Sequence, residues 1–317
     1  MKTTCNIPCG SQEACYGCTS CAVACPAQAI HMKSDENGFP VPVVDAAKCT
    51  RCGYCETVCP VRIHGAHDNY EQPLVYGVKN RNDEIRRDSS SGGAFYALAE
   101  TVLGCYAGAA VYGCAYDEHI VARHERATDK DGLRRFMGSK YVQSDLGNIF
   151  EEVRRDLSER RSVLFSGTPC QISGLKAFLG KRYDNLFTVD IVCHGVMSPL
   201  IFKEHIQYVE KKKRKSVSGY YNRSKVLGWG RHVEEIVFSD GSRDFSSVLV
   251  QSYRTLFFSN NGLRSPCYSC RYSNLEREGD ITLGDFWGIE NVLPAFRDDL
   301  GVSLMLVNTE KGSGFWK

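Results

Sequence analysis

The hydrophobic positions along most of the chain follow either helical or strand periodicity. In residues 145–161 the apolar side chains recur at helical spacing and share one face: Leu146, Ile149, Phe150, Val153 and Leu157. Short apolar runs predict strands, among them "SVLFS" (162–166), "LFTVDIV" (186–192) and "VSLMLVN" (302–308). The segment "HVEEIVFSDGSRDFSSVLV" predicts a hairpin that turns at Asp240-Gly241.

Two strand–turn–helix units stand next to each other in the sequence. "SVLFS" is followed by the turn "GTPC" and the helical "QISGLKAFL", and "LFTVDIV" by "CHGVMSP" and "LIFKEHIQYVEK". Each unit has a cysteine, Cys170 or Cys193, just past the end of its strand. Because ligands of open α/β sheets gather at the carboxyl ends of the strands, the two cysteines should face one crevice if the strands are parallel neighbours.

These patterns predict two domains. Residues 1–70 are expected to form an α+β ferredoxin-like module, with "AIHM" and "PVPVVD" as its short strands. Residues 71–317 are expected to form an α/β domain with a mixed sheet flanked by helices. The last segment, "EKGSGFWK", supplies only a first helical turn after a strand, so we expect the C-terminus to be truncated.

Cysteine is the residue type that points to chemistry, because the 317 residues include 16 of them. "CYGCTSCAVACP" (15–26) and "CTRCGYCETVCP" (49–60) both read C-x2-C-x2-C-x3-C-P. In two-cluster ferredoxins the fourth cysteine of such a run binds the neighbouring cluster. The spacing therefore predicts two [4Fe-4S] clusters, one held by Cys15, Cys18, Cys21 and Cys59 and the other by Cys49, Cys52, Cys55 and Cys25. A pair of zinc sites is the alternative, although zinc knuckles usually supply two close cysteine pairs.

Four further cysteines are predicted to lie in loops: Cys170, Cys193, Cys267 and Cys270. They could bind a third [4Fe-4S] cluster. Alternatively, Cys170 and Cys193 are small buried apolar residues and the C-x2-C pair holds zinc with other ligands. We interpret Cys105 and Cys114 as core residues, and Cys5 and Cys9 as spare thiols.

Charge and hydropathy exclude several classes of function. The formal net charge of +2 gives no reason to expect nucleic acid as a partner, and "KKKRK" (211–215) is interpreted as the solvated end of a helix. No apolar run approaches the ~20 residues that span a bilayer. "MKTTCNIPCG" lacks the apolar stretch of a secretory signal, so we expect a soluble, cytoplasmic protein.

A second candidate site lies in the loop "SSSGGAF" at the start of a predicted helix. Its exposed backbone amides and the helix dipole would suit a dinucleotide phosphate, although an N-cap in a surface loop is the simpler interpretation. No G-x-G-x-x-G follows a strand, so the nicotinamide fingerprint is missing from the sequence.

Six motifs in order resemble one family: "SSGGAF", "GSKYVQS", "GTPCQISGL", "VDIVCHG", "PCYSCRY" and "GDITLGDFWG". Together they are similar to the coenzyme F420 hydrogenase/dehydrogenase beta-subunit family over most of residues 73–317. The resemblance implies FAD in the α/β domain. It assigns Cys170, Cys193, Cys267 and Cys270 to a third [4Fe-4S] cluster. The residues that it implies for FAD are Ser90, Ser91, Gly92, Gly93, Lys140 and Tyr141.

The function that the resemblance implies is that of an iron–sulfur flavoprotein oxidoreductase. It would pass electrons between a ferredoxin-type or other redox partner and a small organic substrate. The alternatives are a non-catalytic relay subunit of a larger redox complex, or an oxidoreductase that uses the deazaflavin coenzyme F420. His194 could donate a proton, but a supporting position beside a cluster ligand is the other interpretation of this residue.

Overall fold

The structure is a computed structural model and describes residues 11, 13–63 and 69–316. Its strands are β1 (Ile30–Ser34), β2 (Pro40–Val44), β3 (Asn69–Val78), β4 (Ala110–Tyr116), β5 (Ala122–Ala127), β6 (Val163–Gly167), β7 (Leu186–Ile191), β8 (Val217–Ser224), β9 (Val233–Phe238), β10 (Arg243–Asp244), β11 (Ile281–Asp285) and β12 (Ser303–Thr309). Its α-helices are α1 (Ser20–Val23), α2 (Tyr54–Thr57), α3 (Asp83–Asp88), α4 (Ala94–Cys105), α5 (Lys130–Phe136), α6 (Ile149–Ser158), α7 (Pro169–Leu179), α8 (Pro199–Lys213), α9 (Val248–Phe258), α10 (Ile289–Val292) and α11 (Glu310–Trp316). Two 3-10 helices span Ser265–Ser269 and Pro294–Phe296.

A seven-stranded mixed sheet forms the centre of the larger domain, in the order β3-β12-β11-β7-β6-β4-β5. The four inner strands β4, β6, β7 and β11 are parallel, whereas β5, β12 and β3 pair antiparallel with their neighbours. This confirms the predicted α/β domain with a mixed sheet. Strands β6 and β7 are parallel neighbours, so their carboxyl ends meet at one edge of the sheet.

Helices cover both faces of this sheet, because successive strand residues point to opposite sides. On one face, α4 and α5 pack against Val111, Leu164 and Val189. On the other face, α6 and α7 pack against Tyr112 and Phe165. The predicted apolar face of 145–161 is buried there, although Leu146 precedes the helix.

A smaller layer consists of the three-stranded sheet β10-β9-β8 with helices α8 and α9. The turn at Asp240-Gly241 forms as predicted, but the second hairpin strand is only two residues long. Instead of continuing the strand, Ser247 accepts a hydrogen bond from the Val250 amide and caps α9. The basic run "KKKRK" lies at the C-terminal end of α8, where cations interact favourably with the helix dipole.

The N-terminal segment is a β1–β2 hairpin with the short helices α1 and α2, each of which begins inside one of the cysteine motifs. Both predicted strands of this segment are confirmed. The next strand, β3, belongs to the seven-stranded sheet. Cys5 and Cys9 lie outside the described residues. No helix in the described ranges is long and apolar enough to cross a membrane.

Three predicted cysteine positions are wrong: those of Cys105 and Cys170, and that of Cys267, which lies in the 3-10 helix Ser265–Ser269 rather than in a loop. Cys105 is exposed rather than in the core, because it is the last residue of α4 and faces solvent. Cys170 lies in the first turn of α7 rather than in a loop, because Pro169 starts the helix one residue earlier. Cys114 is half-buried in β4.

Candidate functional site

Four cysteines from the two motifs line one cavity beside the β1–β2 hairpin: Cys15, Cys18, Cys21 and Cys59. We call them the inner cysteine group. All four are buried, although they are separated by up to 44 positions in the sequence. The structure thus brings the fourth cysteine of the second motif to the first three of the first motif, as the crossed pattern predicts.

Burial and mutual repulsion act on the thiols of the inner cysteine group. Burial, with smaller contributions from Cys15 and Cys59, raises the pKa of Cys18 to about 11. The pKa of Cys21 is raised by burial and by the other three thiols of the group. Thiolates so placed need a positive partner, and the iron of a cluster would provide it.

The other four motif cysteines, Cys25, Cys49, Cys52 and Cys55, are the outer cysteine group. Burial raises the pKa of Cys55, and Cys25 and Cys49 add to this effect. Cys52 is exposed, and hydrogen bonds from the Tyr54 amide and the Thr50 side chain lower its pKa. In the described ranges, no three Cys, His, Asp or Glu side chains are close enough to share one metal ion. A four-iron cluster does not require such proximity, because each thiolate binds a different iron atom.

The third cysteine group comprises Cys170, Cys193, Cys267 and Cys270. Cys170 lies in the first turn of α7, Cys193 follows β7, and the C-x2-C pair lies at the 3-10 helix before β11. Burial, followed by repulsion from Cys267, raises the pKa of Cys193 to about 12. Cys170 is half-buried, and desolvation followed by repulsion from Cys193 and Cys267 raises its pKa. The four thiols therefore converge, as predicted for the two strand ends.

The third and inner cysteine groups adjoin across helix α7. A Cβ atom at Gly174 would lie 2.7 Å from Cys18 Cβ and 3.0 Å from Cys18 Sγ. Tyr16 and Tyr272 fill the space beside this contact as an edge-to-face pair with centroids 5.2 Å apart. Only glycine permits the backbone of α7 to come this close to the first motif.

Two arginines bracket the C-x2-C pair and bind the N-terminal segment. Arg264 is buried and donates to the carbonyl oxygens of Cys15 (2.5 Å) and Pro40 (2.9 Å), and to Gln143 Oε1 (2.8 Å). Arg271 donates to the Pro60 and Val61 carbonyls at 3.1 and 3.2 Å. The loop that carries Cys267 and Cys270 is thus tied to both cysteine motifs.

A cavity of about 380 Å³ opens at the carboxyl edge of the seven-stranded sheet. Of the residues predicted for FAD, five line it: Ser90, Ser91, Gly93, Lys140 and Tyr141. Cys193 and His194 line the same cavity, so it adjoins the third cysteine group. Its volume falls in the range of roughly 300–1,000 Å³ that is usual for small-molecule sites.

The two predicted loops contribute to this cavity in different ways. Ser90 Oγ accepts a hydrogen bond from the Ser139 amide (2.7 Å), which joins the loops. Gly92 does not line the cavity; a Cβ there would meet the Val78 carbonyl at 2.1 Å, so glycine allows the loop to pack on the sheet. Lys140 Nζ donates to the backbone carbonyls of Met137 (2.8 Å) and Gly138 (3.1 Å).

Comparison with known proteins identifies both parts of the chain. Residues 160–317 match the family that is described as the C terminus of the coenzyme F420 hydrogenase/dehydrogenase beta subunit. These residues belong to that family. Residues 14–63 match the 4Fe-4S dicluster domain. The chain therefore combines a segment related to F420 hydrogenase/dehydrogenase beta subunits with a segment related to 4Fe-4S dicluster domains.

Two individual proteins are also similar to this chain, one in sequence and one in fold. An uncharacterised polyferredoxin-like protein of Methanocaldococcus jannaschii is 38% identical over an alignment of 58 positions, and the match covers 16% of this chain and 34% of that protein. The chain thus spans about a third of the length of this curated relative. The fold is similar to a chain in the solved, xenon-derivatised F420-reducing [NiFe] hydrogenase complex from Methanosarcina barkeri. The TM-score is 0.50 and the identity 18%, with 80% of this chain and 81% of that chain covered.

Sequence reasoning missed a polar network in the floor of the large cavity. His124 Nε2 donates to the Ser166 carbonyl (3.0 Å), so Nδ1 can accept from Ser144 Oγ (3.0 Å), which in turn accepts from Gln171 (2.9 Å). Burial lowers the pKa of His124 to about 4 and keeps the ring neutral. In the sequence, only Gln171 of this network lies in one of the family motifs, "GTPCQISGL". His124 lies in an ordinary strand pattern and gives no signal.

A second missed group lines the opposite wall. Arg223 donates to Asp285 Oδ2 (2.7 Å), and the Trp229 indole donates to Asp285 Oδ1 (2.9 Å). Trp229 stacks on Trp287, with ring centroids 4.4 Å apart. Asp285 and Trp287 belong to the motif "GDFWG", which points to them in this family, whereas nothing in the local sequence points to Arg223.

Proposed function

We propose that this protein is an iron–sulfur, flavin-dependent oxidoreductase that passes electrons between a ferredoxin-type partner and a small organic substrate. The inner and outer cysteine groups would each hold a [4Fe-4S] cluster. The third cysteine group would hold another, and the large cavity would hold FAD. The two domains would follow the sequence prediction of residues 1–70 and 71–317, except that Asn69 and Tyr70 belong to the second, because β3 begins at Asn69 and pairs with β12.

One observation carries this proposal: the cysteine groups and the large cavity form an unbroken series. Cys18 of the inner group faces Cys170 across Gly174, and Cys193 of the third group is in the wall of the cavity. The outer group, with its exposed Cys52, lies at the far end, where a partner protein can reach it. Such a series suits one-electron transfer between a surface and a buried organic cofactor.

The residues of the large cavity fit a flavin dinucleotide by their chemistry. The loop at Ser90 and Ser91 opens helix α4, whose N-terminus favours anions. The cavity walls combine this polar end with aromatic side chains, including Tyr141, Phe257 and Trp287. A bound flavin would supply exchange between single electrons and a hydride.

Cofactor release tests the proposal most directly. We expect anaerobically purified protein to contain about twelve iron atoms, four for each of three clusters. The third group contributes the last four, so a Cys193→Ser, Cys267→Ser double variant should contain about eight. Denaturation should release FAD. Release of FMN, or of no flavin from iron-replete protein, would contradict the assignment of the cavity.

A further inference from the structure

Ser20 lies at the junction between the inner and third cysteine groups. Its side chain is fully buried at the start of α1. Its hydroxyl oxygen is 2.8 Å from the Gly174 carbonyl oxygen and 3.3 Å from Cys18 Sγ. One hydroxyl therefore lies within hydrogen-bonding distance of α7 and of a predicted cluster ligand.

The two contacts compete for a single proton. A serine hydroxyl has one proton to donate, and the Gly174 carbonyl and an iron-bound thiolate can only accept. Free Cys18 can donate its own thiol proton to Ser20, but an iron-bound sulfur has no proton. When a cluster is bound, the Ser20 hydroxyl can therefore donate a hydrogen bond to only one of these two acceptors at a time.

We propose that Ser20 is a positioning residue that sets the reduction potential of the inner cluster by turning its hydroxyl from the Gly174 carbonyl to Cys18 Sγ when the cluster is reduced. The inference rests on the proposed function in that the inner cysteine group binds a [4Fe-4S] cluster. Reduction adds one electron and therefore negative charge to the sulfur ligands. The hydroxyl proton stays on its oxygen, so no bond is broken and no proton is taken up.

The reduced cluster gains more from this hydrogen bond than the oxidised one, because hydrogen bonds to ionised acceptors are the stronger ones. A hydrogen-bond donor to a sulfur ligand therefore raises the reduction potential of an iron–sulfur cluster. Burial increases the effect, since the low local dielectric strengthens the interaction and water is not there to replace it.

The second motif provides an internal reference. Its residue equivalent to Ser20, two positions after the second cysteine, is Tyr54, which is exposed. Tyr54 lies in α2, whereas α1 is the helix that carries Ser20 and packs against α7. The outer cluster should therefore be unaffected by changes at Ser20, and its potential can be measured in the same sample.

Ser20→Ala is the direct test, read out by a potentiometric titration followed by electron paramagnetic resonance. We expect the reduction equilibrium of one cluster to shift about tenfold toward the oxidised form, which is about 59 mV for a one-electron couple. The outer cluster should keep its wild-type potential. Thr57→Val is the matched control, because the Thr57 hydroxyl donates to the Tyr54 carbonyl (2.8 Å) and is exposed. Thr57→Val should leave the reduction potentials of both clusters unchanged.

Unchanged potentials in iron-replete Ser20→Ala protein would overturn the proposal. If Ser20→Ala fails to bind iron, Ser20→Cys takes its place. That variant keeps a group of similar size but a weaker donor, and a potential equal to that of wild type would overturn the proposal equally. If wild-type protein itself binds no iron, the proposed function is contradicted. Metal analysis of wild type distinguishes that outcome from unchanged potentials in the Ser20 variants.

Discussion

At the scale of single residues, burial controls the charge on the side chains that surround the cysteine groups. It raises the pKa of the inner thiols and lowers that of His124. The same effect reaches the smaller layer, where burial raises the pKa of Glu234 to about 7. Because folding shifts the pKa of each of these groups, their protonation is coupled to folding.

Cys25→Ser tests which cysteines share a cluster. Cys25 belongs to the first motif, but it acts electrostatically on Cys55 of the second. We therefore expect the outer cluster to be perturbed and the inner one retained, seen as the loss of one set of resonance signals. Cys21→Ser is the matched change and should perturb the inner cluster instead. Loss of the inner cluster in Cys25→Ser would disprove the crossed arrangement.

Glu234 makes the stability depend on pH. It accepts hydrogen bonds from the Arg254 amide (2.9 Å) and Asn222 Nδ2 (3.2 Å) inside an apolar core. Its folded pKa of about 7 exceeds its usual value, so its stabilising contribution is complete below the unfolded pKa and is lost as pH rises through 7. The total change is on the order of 3 kcal/mol, from a shift of roughly 2.5 pKa units at 1.36 kcal/mol for each unit.

Glu234→Gln should remove this dependence. The free energy of unfolding of wild type, measured in urea by circular dichroism under anaerobic conditions, should fall relative to the variant between about pH 5 and pH 7. If the free energies of unfolding of the two proteins change with pH in the same way, Glu234 ionises in the folded protein as it does in water, and the prediction is wrong.

At the scale of elements, α7 connects the two parts of the molecule. Its first turn carries Cys170, its apolar face packs on the sheet, and Gly174 contacts Cys18 on the other side. A capping box between Thr168 and Gln171 fixes where the helix begins. The position of Cys170 therefore depends on the same helix that receives the N-terminal segment.

Gly174→Ala should disturb this contact. The new methyl group would lie 2.7 Å from Cys18 Cβ, and separating the packed elements costs typically 1–3 kcal/mol, about the cost of overpacking a core. We expect a lower denaturation midpoint and slower reduction of the third cluster. Gly104→Ala is the control, because this helical glycine in α4 faces open space and alanine favours helix by about 0.5–1 kcal/mol. Equal midpoints for both variants would contradict the close packing at Gly174.

At the scale of the whole molecule, the N-terminal segment and the α/β domain are held together at several points. Arg264 and Arg271 bind carbonyl groups of both motifs, and Ser198 Oγ donates to the Asn37 carbonyl. Deleting residues 1–70 would leave these donors without their acceptors. Point variants are therefore the better means of testing how electrons enter the protein.

Reduced ferredoxin should reduce the bound flavin, whereas NADH and NADPH should not. The chain has no nicotinamide fingerprint, and its two motifs are one-electron carriers. Stopped-flow absorbance would follow the bleaching. In Cys52→Ser, ferredoxin should bleach the flavin at least tenfold more slowly, while dithionite, a small reductant, should still act. Bleaching by NADH alone at a rate similar to that with ferredoxin would refute this route.

Sequence alone determined the features that depend on local patterns. The cysteine spacing predicted the crossed grouping, because the fourth cysteine of each C-x2-C-x2-C-x3-C run follows a longer gap and binds the neighbouring cluster in two-cluster ferredoxins. The alternation of apolar runs and helical segments predicted that β6 and β7 carry Cys170 and Cys193 to one edge of the sheet. Both follow from local spacing: each cysteine motif spans twelve residues, and Cys170 and Cys193 are 23 positions apart.

Only the tertiary structure decided the features that join distant segments. Helix α9 forms where a strand was predicted, because Ser247 caps it and the core between the small sheet and α8 accepts an apolar helix face. Arg264, Ser20 and Arg223 have no distinguishing local pattern, and their roles arise from partners up to 249 positions away. Such contacts are set by how whole elements pack, and a single sequence carries no periodic signal for them.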